Sequence, residues 1–210
     1  MIRMALTKGR LLTSTLSMFQ AMGIDTEPLE RAGRKLILPL SDQLEVVLAK
    51  PQDVLTYLEH GVCDAGIVGK DTLMEQGGGC YFEVADLGFG RCRFVVAAKE
   101  GNDLYGGYRI RRIASKYPQV AKAHFAARQM DVEIIKIEGS VELAPLLGLA
   151  DGIVDIVETG TTLRENHLVV LETVAELSAR LVVGRTSLKM KREEIDSLIE
   201  QVGRVREVCV

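Results

Sequence analysis

The chain has 210 residues, 47% hydrophobic and 26% charged, with a formal net charge of −3. This is enough to bury a core in one domain or two compact lobes, and it lacks the basic excess of a nucleic-acid binder. No apolar run at the start reaches signal-peptide or membrane-span length, so a cytoplasmic protein with no membrane partner is expected. Four cysteines (Cys63, Cys80, Cys92, Cys209) and three histidines (His60, His124, His167) are scattered without C-x-x-C spacing. They read as reduced, packed thiols and not as a zinc site.

Apolar periodicity predicts a strand at 2–6, a helix at 12–22, strands at 35–40 and 45–49, a helix at 52–60 and a strand at 63–68. The order then returns: strand 112–115, helix 119–130, strand 133–137, helix 141–150, strand 153–157. Gly61-x-x-Asp64-x-x-x-x-Gly69 and Gly152-x-x-Asp155-x-x-x-x-Gly160 have the same spacing, which reads as an internal repeat. The apolar segments 93–98, 168–171 and 181–183 read as carrying the chain between lobes. In 191–206, Ile195, Leu198, Ile199 and Val202 fall on one helical face, suited to packing back on the first lobe. The expected organisation is therefore lobe I at 1–92 plus 181–210 and lobe II at 93–180. The fold class is α/β: a two-lobed, periplasmic-binding-protein-like (type II) fold, each lobe a mostly parallel sheet flanked by helices. Such sheets bind ligands beyond the carboxyl ends of their strands.

Features present in both halves belong to architecture, and features of one half are candidates for function. On this spacing Asp64 and Asp155 form a shared frame, and turn-capping carboxylates before buried strands explain them as well as chemistry does. The residues at the far end of each frame differ: Val68-Gly69-Lys70-Asp71 in the first half, Thr159-Gly160-Thr161-Thr162 in the second. The threonine loop suits phosphate, since Gly160 permits a tight turn while backbone N–H groups and hydroxyls donate; the competing reading is a threonine-capped helix start. Thr7-Lys8-Gly9-Arg10 is a basic turn after the first strand, fit for a pyrophosphate or triphosphate or simply a solvated loop. Glu138-Gly139-Ser140-Val141-Glu142 offers carboxylates to ribose hydroxyls or Mg²⁺, or else caps a helix. Ser115-Lys116 is a further anion contact, and Gly77-Gly78-Gly79 lacks the lysine and hydroxyl of a P-loop.

These segments resemble a known family. Ala5-Leu6-Thr7-Lys8-Gly9-Arg10-Leu11, Asp64 to Asp71, Glu138 to Glu142 and Asp151 to Leu163 look like ATP phosphoribosyltransferase, with the last motif the most specific. The resemblance implies transfer of the 5-phosphoribosyl group of phosphoribosyl pyrophosphate to N1 of ATP, with Mg²⁺ and release of pyrophosphate, opening histidine biosynthesis. It implies that Thr159, Gly160, Thr161 and Thr162 bind the 5-phosphate, that Glu138, Gly139 and Asp155 lie near the ribose, and that Glu138 or Asp155 steadies the transition state. Lys8, Gly9, Arg10 and Asp71 would face pyrophosphate and ATP, with Mg²⁺ carried by the substrates and no metal site of the protein's own. It further implies a short-form catalytic chain, paired with a second copy and joined to a regulatory subunit resembling histidyl-tRNA synthetase. The rival readings are a solute receptor, an effector domain of a transcription regulator, and a different nucleotide-dependent transferase.

Overall fold

A computed structural model describes residues 1–209, with side chains through Val205. Cys209, and Arg206 at the end of the predicted amphipathic helix, therefore lie outside the described side chains. The chain divides into two compact units, Met1–Gly90 with Ser178–Val210, and Arg91–Leu177.

The first unit opens with β1 (Ile2–Thr7), α1 (Arg10–Ala21), α2 (Glu27–Glu30), β2 (Ile37–Ser41), β3 (Leu44–Ala49) and α3 (Pro51–Glu59). It continues through β4 (Ala65–Gly69), α4 (Lys70–Gln76) and β5 (Tyr81–Asp86). The second unit holds β6 (Cys92–Lys99), β7 (Arg111–Ser115), α5 (Pro118–Ala127), β8 (Val132–Lys136), α6 (Leu143–Leu146), β9 (Gly152–Val157), α7 (Thr161–Glu165) and β10 (Leu168–Leu177). The chain returns to the first unit with β11 (Ala179–Gly184), α8 (Arg185–Met190) and α9 (Arg192–Cys209).

The first sheet runs β2-β3-β1-β4-β11-β5 and the second β10-β6-β9-β7-β8. In each, three adjacent strands are parallel: β3-β1-β4 and β8-β7-β9. An antiparallel strand then flanks β4 or β9. Strand alternation explains the layering of the first unit. Ile2, Met4 and Leu6 face Phe19 of α1 and Ile195, Leu198 and Val202 of α9, while Ala5 faces Val54, Leu55 and Leu58 of α3. Burying each large side chain contributes about 1.5–3 kcal/mol, so α9 is held to the first unit by its apolar stripe. Gly66 lets α3 approach β4, because a Cβ there would meet Val54 at 2.5 Å.

Three expectations need correction. The segments 93–98 and 181–183 are not connectors: they form the buried interiors of β6 and β11, and the chain passes between units at 90/91 and 177/178. Central strands are apolar on both faces, which makes them look like any other greasy run. The predicted helix 141–150 shrinks to the single turn of α6, with Pro145 inside it and Gly148 at φ 74 beyond it.

The third correction concerns the repeat. The Arg3 N–H donates to Asp64 Oδ2 at 2.9 Å and the Arg112 N–H donates to Asp151 Oδ2 at 2.8 Å. In return the Asp64 N–H donates to the Arg3 carbonyl at 2.8 Å and the Asp151 N–H to the Arg112 carbonyl at 2.7 Å. The strand registers agree, with Met4 opposite Ala65 and Ile113 opposite Gly152. The counterpart of Asp64 is therefore Asp151, and Gly61 answers to Gly148, both at positive φ. The spacing match with Asp155 was a coincidence four residues out of step. In the true register Asp155 occupies the place of the buried Val68.

Candidate active site

In the second unit, β8, β7 and β9 run parallel side by side, so the segments after them gather on one sheet edge. After β7, Ser115 is fully committed: its hydroxyl donates to the Val154 carbonyl at 2.6 Å and accepts the Tyr117 N–H at 2.9 Å. After β8, Glu138 is exposed and ion-paired with Lys136 at 2.7 Å, and that lysine holds its carboxyl below the ordinary range. Gly139 sits in the same open turn.

After β9 comes the threonine loop. Gly160 takes the left-handed conformation, φ 76 and ψ 7, that turns the strand into α7, and buried Leu163 anchors the helix below. The Thr159 and Thr161 hydroxyls share a hydrogen bond at 3.1 Å. Arg164 folds back over the loop, donating to the Thr159 carbonyl and the Thr161 hydroxyl, each at 3.1 Å. The Asn166 amide donates to the Thr162 carbonyl at 2.8 Å. Thr159, Gly160, Thr161 and Thr162 line a cavity of about 340 Å³ together with Glu142, Asp155 and Glu158.

Asp155 is the perturbed group of this cavity. Burial pushes its carboxyl up to about 6; the Ile156 N–H, donating at 2.8 Å, and Lys116 oppose the shift, and the charge of Glu142 adds to it. A carboxylate so placed titrates near neutrality and gains from any cation brought beside it. Of the sequence candidates, the cavity thus unites Asp155 with Thr159 to Thr162, while Glu138 and Gly139 do not line it. Of the two carboxylates in the 138–142 segment, it is Glu142 and not Glu138 that reaches the cavity, through the packing of the α6 segment against β9.

In the first unit, β1 and β4 are neighbouring parallel strands, so Lys8, Gly9 and Arg10 after one and Asp71 after the other share a sheet edge. Gly9, at φ 93, turns the chain into α1. Asp71 lies in the first turn of α4, its carboxylate folded over Gly69, where a Cβ would sit 2.0 Å from Oδ1. The Thr7 hydroxyl, at the end of β1, is buried and has no hydrogen-bond partner among the described residues. A larger groove of about 470 Å³ lies at the opposite, amino-terminal end of β1 and β3, against α9, and gathers none of the candidate residues.

Fold and loop define a class: an α/β protein of the type II periplasmic-binding kind that presents a hydroxyl- and amide-rich loop suited to an anionic group. Likeness of fold extends to the periplasmic aliphatic sulphonate binding protein SsuA from Escherichia coli, at a TM-score of 0.59 and 12% identity over 98% of this chain and 72% of that one. Likeness of sequence is narrower. A family model described as ATP phosphoribosyltransferase matches residues 50–204. Proteins named ATP phosphoribosyltransferase from Clostridium kluyveri and Clostridium novyi are 53% and 51% identical. The first match covers 96% of this chain and 92% of the relative, the second 97% of each. The structure of the ATP phosphoribosyl transferase (HisG:HisZ) complex from Thermotoga maritima aligns at a TM-score of 0.84 and 33% identity, over 99% of both chains. The chain belongs to the ATP phosphoribosyltransferase family.

Proposed function

We propose that the chain transfers the 5-phosphoribosyl group of phosphoribosyl pyrophosphate to N1 of ATP and releases pyrophosphate, the first step of histidine biosynthesis. The observation that carries the residue assignment is the meeting of Asp155 and the Thr159–Thr162 loop in one cavity at a strand's carboxyl end. Backbone N–H groups and threonine hydroxyls there receive the 5-phosphate, and Asp155, with Glu142 beside it, faces the ribose. Adenine N1 carries a free lone pair at neutral pH, so the reaction needs no activated side-chain nucleophile. The N1–C1 bond forms as the C1–O bond breaks, and the bonding pair leaves with pyrophosphate. A carboxylate at Asp155 stabilises the positive charge that develops on the ribosyl ring. Lys8, Gly9, Arg10 and Asp71 serve ATP and the departing pyrophosphate.

The residues present fit a magnesium ion delivered on the substrates' phosphates. Three carboxylates, Glu142, Asp155 and Glu158, line the cavity, and Mg²⁺ on phosphate substrates needs only one or two protein carboxylates. When bound, the ion supplies charge neutralisation to the leaving pyrophosphate. The reading extends to a short-form catalytic subunit, paired with its own copy and regulated by a subunit resembling histidyl-tRNA synthetase; the Thermotoga maritima relative, solved as a HisG:HisZ complex, supports it. No helix of the described residues is long and apolar enough to cross a membrane, and the pathway places the enzyme in the cytoplasm.

The test monitors phosphoribosyl-ATP on mixing the chain with ATP, phosphoribosyl pyrophosphate and Mg²⁺, with and without the regulatory subunit. Absence of product in both arms overturns the activity. Thr162→Val raises the donor KM roughly tenfold, from loss of a charge-assisted hydrogen bond, and leaves the ATP KM alone. Arg10→Ala acts on ATP or pyrophosphate instead.

A further inference from the structure

The cavity beside the threonine loop has the wrong sign for the guest assigned to it. Its ionisable lining is Glu142, Asp155 and Glu158; among the described residues, no Lys, Arg or His lines it. A sugar phosphate near −2 would face carboxylates across a partly desolvated space. Mg²⁺ carried on the pyrophosphate end does not reach the 5-phosphate at the other end of the ribose, and hydroxyls and amides offer dipoles without net charge. A fixed cation beside the loop would offset that repulsion and add to what the hydroxyls and amides supply.

The structure holds one on the loop's rim. Arg164 lies three residues after Thr161 on the same face of α7. Its guanidinium straddles the loop, Nη1 on the Thr159 carbonyl and Nη2 on the Thr161 hydroxyl. The guanidinium lies close over Gly160, where a Cβ would be in van der Waals contact with Nη1 at 3.4 Å. These two bonds use two of the five guanidinium N–H groups, leaving three to donate. Of the other nearby cations, Lys136 pairs with Glu138, and Lys116, at the end of β7, acts on Asp155 at the strand side of the cavity and on Glu138, whereas Arg164 is hydrogen-bonded to the threonine loop itself. Arg164 and Thr159 both engage the Thr161 hydroxyl, a group that could also donate to phosphate.

We propose that Arg164 is a donor-binding residue, the cation of the phosphate loop, which exchanges its bond to the Thr161 hydroxyl for the 5-phosphate of phosphoribosyl pyrophosphate. The bond to the Thr159 carbonyl persists and keeps the guanidinium on the rim. The exchange frees the Thr161 hydroxyl to donate to the same phosphate, so one side-chain movement supplies a charge and a hydrogen bond together. An arginine suits this place because its planar fork spans two phosphate oxygens. The inference rests on the loop being the 5-phosphate site.

The test is calorimetric titration of the full chain with phosphoribosyl pyrophosphate and with ribose 5-phosphate, at low and high salt, for the wild type, Arg164→Ala, Arg164→Gln, Arg164→Lys and Thr162→Val. Arg164→Ala is expected to weaken both ligands about 10- to 100-fold. Arg164→Gln, which keeps a donor for the Thr159 carbonyl but no charge, should be about as weak, and Arg164→Lys should recover part. The salt dependence of binding should flatten in the Ala and Gln variants, because a screened attraction has been removed. Full recovery by Arg164→Gln, or an unchanged salt dependence, would reduce Arg164 to a structural latch and overturn the proposal. Unaltered binding in Arg164→Ala alongside weakened binding in Thr162→Val also overturns it, and leaves the loop assignment standing. Unaltered binding in both variants removes the loop assignment itself.

Discussion

Replacing Asp155 by asparagine should make the protein more stable at pH 8 and change it little at pH 4. Burial holds the carboxyl at about 6 in the folded chain, with Glu142 reinforcing the shift, against roughly 3.9 in an unfolded one. Below about pH 4 both states carry the proton and no difference arises. Between about 4 and 6 the unfolded chain releases its proton while the folded chain retains it, so stability falls as pH rises. Above that window the whole difference, about 3 kcal/mol for about two pH units, weighs against the folded state. Asparagine carries no charge and keeps an oxygen for the Ile156 N–H, so it escapes this cost. The gain corresponds to several degrees of Tm, at about 2–4 °C per kcal/mol for a chain of this size. Thermal unfolding of both proteins at pH 4 and pH 8 measures it directly, and donor binding should weaken in the same variant. A stability difference equal at the two pH values would refute the reasoning.

Other substitutions probe the frame around the site. Thr7→Val removes a buried hydroxyl that has no partner among the described residues; an unsatisfied group costs about 1–3 kcal/mol, so urea unfolding should show a neutral to stabilised variant, and a marked loss would reveal a hidden partner. Gly160→Ala forces a side chain into the left-handed region at about 1–2 kcal/mol at the turn of the threonine loop, so calorimetry should show a loss of donor affinity alongside the loss of stability. Asp64→Ala and Asp151→Ala should each cost about 1–3 kcal/mol in denaturant unfolding, because each leaves a partly buried backbone N–H without its acceptor. Burial alone would raise both carboxyls, but the Arg3 N–H, Lys191 and Ser187 around Asp64, and the Arg112 N–H and Arg109 around Asp151, outweigh it and hold them low. Their contribution is therefore present above the unfolded pKa and lost as pH falls through the folded one.

The helices were legible because one-sided burial writes a period into the sequence, as in α1, α3 and α9. The threonine loop was legible because hydroxyls and glycine after an apolar strand have few other uses. Sequence reading failed where meaning lies in register. Gly152 and Asp155 imitate the spacing of Gly61 and Asp64, and only the paired hydrogen bonds of Arg3 and Arg112 show that Asp151 is the true counterpart. It failed also at β6 and β11, whose central places in their sheets remove the alternation that marks a half-exposed strand. Glu142 was visible as a carboxylate of the 138–142 segment, but which of its two acids meets the cavity depends on the fold of the α6 segment. Arg164 lies just past the threonine motif, and only its bonds back to Thr159 and Thr161 tie it to the loop.

The corrected register makes the first unit a natural control experiment for the second. At one and the same slot of a shared framework, one unit carries Val68 in its core and the other carries Asp155 beside a cavity. A framework that folds around valine there has no architectural need of the carboxylate. The acid at this slot is thus separable from the fold that presents it, and a valine in its place should leave the second unit as well packed as the first.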